Sequence, residues 1–125
     1  MISQGDVMPL LLEACPSFRA PWQVFVSDSL YDPANLYSHL GEFARHLVGL
    51  MKAKKTEEFP AVFAVVERLH VEGDGYVSEA ATIGLLEGIQ NISGGKVDPE
   101  SFLPFLERDS WMYWQALNEF WDGQS

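Results

Sequence analysis

Three residues able to bind metal or move protons share one edge of a predicted helix: His39, Glu42 and His46, at i, i+3 and i+7. Glu42 and His46 stand one turn apart, close enough to share an ion, whereas His39 lies two turns from His46. A metal site there needs a further ligand from another element, with Asp28, Asp32 or Cys15 as the available residues. The spacing is not the His-Glu-x-x-His of metalloproteases. The preferred reading is a hydrogen-bonded helix edge with Glu42 and His46 as an i,i+4 pair, and neither metal nor cofactor is expected. A small metal-binding protein or enzyme using this edge is the alternative.

Two other reactive residues carry plainer readings. His70 falls on the apolar arc of the fourth predicted helix, where it could act as a buried base or pH sensor. It also sits in the last turn, so capping of the free carbonyls is the preferred role. Cys15 lies at a helix C-terminus, where the dipole disfavours a thiolate, and reads as a small core hydrophobe. As the only cysteine it cannot form an intrachain disulfide. No Ser-His-Asp spacing or zinc ribbon occurs, and Gly73-Asp74-Gly75 lacks the rest of a P-loop. No catalytic residue is nominated, and a non-enzymatic protein is expected.

Charge is the remaining chemical signal. The 125 residues hold 8 Lys plus Arg against 18 Asp plus Glu, a net charge of −10. That excludes a general nucleic-acid binder, whose affinity comes from neutralised phosphates. Residues 61–125 carry three basic and eleven acidic side chains, a net of −8, against −2 for residues 1–60. Glu72, Asp74 and Glu79 cluster around one predicted turn and are the candidate contacts for a basic protein partner. The start of the chain has no basic n-region and no long apolar run, so a cytoplasmic protein without membrane contact is expected. Asn91-Ile92-Ser93 matches the glycosylation pattern and reads as chance in that setting.

The elements that position these residues are helices. Hydrophobic residues make up 47% of the chain, and they recur every three or four positions rather than alternating. A first helix runs from Asp6, its N-cap, to Ala14, with Pro9 in the first turn. A second opens at Ser17, with Phe18, Trp22, Phe25 and Val26 on one face, and a loop rich in Asp, Ser and Tyr follows to Pro33. The third, over 34–53, shows a stripe of Leu36, Leu40, Phe43, Leu47, Leu50 and Met51. The fourth follows Thr56-Glu57-Glu58 and buries Phe59, Val62, Phe63, Val66 and Leu69.

A fifth helix over 76–92 is placed at the centre. Val77, Ala81, Leu85, Gly88 and Ile92 form one apolar face, while Ile83 and Leu86 point to the other side. Ala80, Gly84 and Gly88 recur at i, i+4 and i+8, a small-residue stripe that admits a close neighbour. Asp98-Pro99 opens a short helix interrupted at Pro104, and Ser110 caps a last helix ending at Gly123. There Tyr113, Trp114, Leu117, Phe120 and Trp121 form an apolar face and Gln115, Asn118, Glu119 and Asp122 a wet one, with Trp111 toward the wet side. A homodimer through this aromatic helix is a further possibility. Residues 1–125 thus read as one all-α domain, a helical bundle or short α-solenoid of about six to seven helices.

The segment from Glu58 to Leu69, followed by Val77 to Glu87, resembles one HEAT-type helix pair, carried by Asp74 in the turn and the Val77, Ala81, Leu85 ladder. Leu10-Leu11-Leu12-Glu13-Ala14-Cys15-Pro16, Gly41-Glu42-Phe43-Ala44-Arg45-His46-Leu47 and the stretch from Glu58 to Asn91 together resemble a family of small bacterial proteins known as a domain of unknown function. That resemblance covers most of the chain. It implies a bacterial, all-helical, cytoplasmic domain and supplies no catalytic residues. The combined expectation is a helical protein-interaction module, of an immunity or antitoxin type, that meets a basic partner through its acidic C-terminal half.

Overall fold

Caps and prolines set the helix boundaries in the computed structural model, which describes residues 1–123. α1 (Gln4–Ala14) begins after Ser3, whose amide and hydroxyl both donate to the Asp6 carboxylate, at 2.9 and 3.0 Å. Asp6 is therefore not the cap that the sequence suggests. It occupies the third helical position and reaches back, as in a capping box. The helix starts early because Ile2 is pinned: its amide donates to the Glu72 carbonyl at 2.8 Å, and its carbonyl accepts from Asp74 at 2.9 Å. Pro9 consequently falls inside α1, beyond the first turn.

A 3-10 turn (Pro16–Phe18) leads into α2 (Arg19–Val26), and a loop then reaches α3 (Leu36–Lys52), capped by the Asn35 side chain. α4 (Phe59–Glu72) carries Pro60 in its first turn, where a missing N–H costs nothing. The chain reverses at Gly73-Asp74, with Asp74 Oδ1 accepting from the Val77 amide at 2.9 Å. α5 (Gly75–Glu79), a π-helical segment (Ala80–Leu86) and α6 (Glu87–Ser93) then run on with helical dihedrals at both junctions, forming one central helix. A second 3-10 turn (Pro99–Phe105), capped by Asp98, spans Pro104, and α7 (Arg108–Gly123) ends the described chain. The architecture is all-α, as expected; among the described residues the one β-bridge joins Ile2 to Gly73. Residues 124 and 125 of the expected single unit lie outside the described residues.

The core forms where helical stripes face one another. Phe59, Val62, Phe63, Val66 and Leu69 of α4 are all fully buried, matching the sequence pattern. Phe59 stacks on Phe102 at 5.7 Å, and Phe102 in turn approaches Trp114, so the second 3-10 turn joins α4 to α7. The α3 stripe is rotated from expectation. His39, Ala44 and Val48 are buried beside Leu36, Leu40, Phe43 and Leu47, whereas Leu50 and Met51 are only half-buried. The cause is the central helix, which lies along the Leu40–Ala44 side of α3.

That contact is the most extensive between helices. A carbon added at Gly84 would meet Leu40 at 3.3 Å and Tyr37 at 3.4 Å, and one added at Gly88 would meet Ala44 at 3.3 Å. The small-residue stripe therefore faces α3. The π segment widens the hydrogen-bond ring to i→i+5, so the wheel drawn at a uniform 100° fails locally. Leu86, expected opposite the main face, is buried with it, while Ile83 stays 42% exposed. Gly84→Leu should cost about 1–3 kcal/mol or more by overpacking this contact. Gly49→Ala, on the open side of α3 with nothing within 4 Å of the added carbon, should instead gain up to about 1 kcal/mol. Urea unfolding of both variants reads the difference, and an unchanged midpoint for Gly84→Leu would mean the stripe faces solvent.

Candidate functional site

The His39, Glu42 and His46 edge is dispersed by the fold. His39 is buried among Trp22, Phe25 and Tyr31, and its Nε2–H donates to the Asp32 carbonyl at 2.9 Å. Glu42 lies 3.7 Å from Arg45. His46 turns instead to Ser17 Oγ, at 2.9 Å. The i,i+4 pairing of Glu42 with His46 does not form, because Ser17, in the 3-10 turn before α2, captures the imidazole. Among the described residues no three His, Cys, Asp or Glu side chains are grouped to hold a metal ion.

Ser17 instead organises a polar cluster in which the 3-10 turn before α2 meets α3 and the start of α4. Its amide donates to Glu58 Oε2 at 3.0 Å and its hydroxyl to Glu58 Oε1, so His46 must donate to Ser17 through Nε2–H. Burial raises the Glu58 carboxyl, but the Ser17 hydrogen bonds outweigh it and hold the group below its usual range. The Cys15 thiol donates to the same carboxylate at 3.4 Å. Burial pushes that thiol up to about 11, with the adjacent Glu58 adding to the shift. Cys15 is fully buried, as its reading as a core hydrophobe requires, though its sulfur has polar company that the sequence does not reveal.

A second polar node ties α4, α7 and the π segment together. Glu67 Oε2 accepts from the Asp109 amide, and Glu67 Oε1 from the amide and hydroxyl of Ser110, at 2.9 to 3.0 Å. Ser110 is thus not the cap of α7. It lies in the first turn, and a carboxylate from α4 satisfies the free amides, as the helix dipole favours. Because the Ser110 hydroxyl is given to Glu67, it accepts from His70 Nδ1–H at 2.9 Å. His70 Nε2 then carries the lone pair and accepts from the Thr82 hydroxyl at 3.1 Å, a proton that Thr82 shares with the Ser78 carbonyl at 3.4 Å. The capping role expected for His70 is overturned: its ring is buried, with Tyr113 stacked on it at 4.8 Å. Burial lowers its pKa below the ordinary value, against the opposing pull of Glu67 and Asp109.

Above this node the surface opens into a groove of about 370 Å³ between the π segment and α7. Thr82, Ile83, Glu87, Tyr113, Leu117 and Phe120 line it, and Glu87 is its one charged wall residue. Of the apolar face expected on α7, only Trp114 and Leu117 are buried; Tyr113, Phe120 and Trp121 remain exposed, as do Trp111 and Met112. The wet side is drier than expected, since Gln90 donates to the Asn118 side chain at 3.2 Å. The sequence places Tyr113 and Phe120 on the apolar face of the last helix and carries no local signal at Thr82 or Glu67. Their signal is relational: each matters through a residue on another helix.

The three acids nominated as partner contacts do surround the turn between α4 and α5, each with an internal partner. Glu72 accepts from Arg68 at 3.0 and 3.3 Å, Asp74 caps α5, and Glu79 accepts from the Tyr37 hydroxyl at 2.8 Å. Glu72 and Glu79 are exposed, and Asp74 is half-buried.

Comparison with known families places the chain. The family model described as the domain of unknown function DUF7674 matches residues 8–122. The chain belongs to that family. No curated protein and no solved structure matches it. The DUF7674 match spans α2 through α6 entirely and α7 as far as residue 122, and so takes in both polar nodes and the groove. No helix of the described residues is long and apolar enough to cross a membrane.

The His70 node makes a pH-dependent contribution to folding whose sign follows from its lowered pKa. The unfolded chain takes up a proton near pH 6.5, whereas the folded His70 resists it. Stability is therefore fully present above about pH 6.5 and falls as the pH drops below it toward the folded value. Urea unfolding at pH 7.5 and pH 5.5 should show a smaller loss in His70→Gln than in the parent. An equal loss in both would mean that His70 titrates as it does in the unfolded chain.

Proposed function

We propose that this domain is a non-enzymatic binding module that engages a basic protein partner through its acidic C-terminal half. The carrying observation is the groove beside α7, an apolar channel flanked by large uncovered side chains. Ile83, Met112, Tyr113 and Phe120 are between 38% and 56% exposed. Exposed apolar surface of this kind marks interaction sites. Its surroundings choose the partner, because Glu87 is the one charged wall residue and the half as a whole carries −8. A helix with an apolar stripe and flanking Lys or Arg fits both features. A second copy of the chain fits only the first, since each copy brings a net charge of −10.

The reactive side chains support binding rather than chemistry. Cys15 is buried and its thiol pushed up to about 11, the opposite of an activated nucleophile. The Ser17 proton is directed to Glu58 rather than to His46, so the imidazole is not placed to accept it. Small size, acidity and a basic partner suit a neutralising role of the immunity or antitoxin type, and the HEAT-type pair of α4 and the central helix would present Glu72, Asp74 and Glu79 along its turn.

Affinity capture from cells of origin, with Phe120→Glu as the paired control, tests the reading. A basic protein retained by the parent and lost with Phe120→Glu is the expected result. Its association rate should fall steeply as salt rises from 0.05 to 0.5 M, because the Debye length drops below about 10 Å. Charge reversal at Glu72 and Glu79 should slow association while the chain stays folded, its stability lowered by at most about 1 kcal/mol for each partner lost. Retention unaffected by Phe120→Glu, or a parent protein that is a dimer by light scattering and becomes monomeric in that variant, would overturn it.

A further inference from the structure

The chain between α2 and α3 walls a cavity of about 640 Å³ that none of the preceding roles uses. We propose that it binds an organic cation with an apolar stem, an alkylammonium or alkylguanidinium group. Two aromatic rings line it. Phe25 is backed by Trp22, stacked at 5.5 Å, and Tyr31 by His39, stacked at 5.2 Å with planes 19° apart. Phe25 and Tyr31 meet edge to face, with centroids 5.7 Å apart and planes crossing at 81°, so each ring is held by two neighbours. The hydrogen bond from His39 to the Asp32 carbonyl fixes the ring behind Tyr31. Ring faces carry the negative lobe of the aromatic quadrupole, and a ring held by its neighbours offers any uncovered face to a cation without further loss of freedom.

The charged lining has one sign, beside the neutral Asn35 and Ser38. Asp28, Asp32 and Glu42 contribute carboxylates, and no Lys, Arg or His is among the lining residues. Asp28 Oδ1 and Asp32 Oδ1 accept from the Leu30 and Ala34 amides at 2.8 and 2.9 Å, which holds both carboxylates in place at the cavity wall. The mouth is apolar: Val24 and Leu30 line it while 73% and 89% exposed. A bare inorganic cation has no use for aromatic faces or an aliphatic lip and prefers convergent oxygens. A cationic head on a hydrocarbon stem satisfies all three features, and the cavity has the size of small-molecule sites.

The same chemistry belongs to a free amine and to a Lys or Arg side chain of another protein, so the test carries both. Isothermal titration at low salt would use agmatine as the free cation and acetyl-Ala-Arg-Ala-amide as the side chain, with acetyl-Ala-citrulline-Ala-amide as the uncharged control. At least one cationic probe should bind and the control should not. Preference for agmatine assigns the site to a small molecule, and preference for the peptide assigns it to a protein side chain. Tyr31→Leu should weaken binding roughly three- to ten-fold while Tyr31→Phe keeps it. Glu42→Gln, which leaves the hydrogen bonds of Asp28 and Asp32 intact and gives up only the exposed 3.7 Å contact with Arg45, should weaken it independently of any folding defect at Tyr31. Phe120→Glu should have no effect, which separates this site from the groove beside α7. The proposal fails if neither cation binds, if the citrulline peptide binds equally well, or if Glu42→Gln and a folded Tyr31→Leu bind as the parent does.

Discussion

The close approach of the central helix to α3 is the constraint on which the other placements depend. Gly84 and Gly88 leave only enough room for Leu40, Tyr37 and Ala44, so the two helices meet almost backbone to side chain. Each glycine costs a helix roughly 0.5–1 kcal/mol in isolation, a cost that tight packing offsets. With the central helix seated there, α3 must bury its Leu40–Ala44 side and carry His39 inward with it. His39 then becomes the backing of an aromatic wall instead of a member of a surface edge.

The π segment is the second consequence of that seat. It lets Ala80, Gly84 and Leu85 keep contact with the core while Leu86 is drawn in and Ile83 is left on the outside. Such segments recur at functional positions, and here the segment supplies both Thr82 for the buried node and Ile83 for the groove. The node in turn fixes α7. Glu67 satisfies the first amides of α7, Ser110 passes the contact to His70, and His70 reaches Thr82. One chain of hydrogen bonds thus orients the helix whose outer face carries the exposed aromatic residues.

Electrostatics act on a different scale. The internal partners of Glu72, Asp74 and Glu79 show how single carboxylates serve the fold, yet Glu72 and Glu79 remain exposed and still contribute to the field around the molecule. Exposed pairs of this kind add about 0–1 kcal/mol each. Their collective field governs encounter, while the uncovered apolar groove governs how long a partner stays. These are separable roles on one half of the molecule.

Much of the fold was legible in the sequence because it depends on short-range periodicity and on residues with restricted backbones. The fully buried stripe of α4, the small-residue stripe of the central helix, the Asp98-Pro99 start and the all-α class all follow from such local signals. What the sequence could not supply was the partner of each polar group. His70 meets Ser110 across 40 positions, and Glu67 meets Asp109 across 42. Ser17, His46 and Glu58 come from three different elements. A buried donor or acceptor must find a complement, but a local pattern does not say which distant residue provides it. Tertiary packing chose those partners. By doing so it turned a supposed cap into a buried node, dispersed a supposed metal edge, and left Ile83 and the aromatic flank of α7 facing solvent.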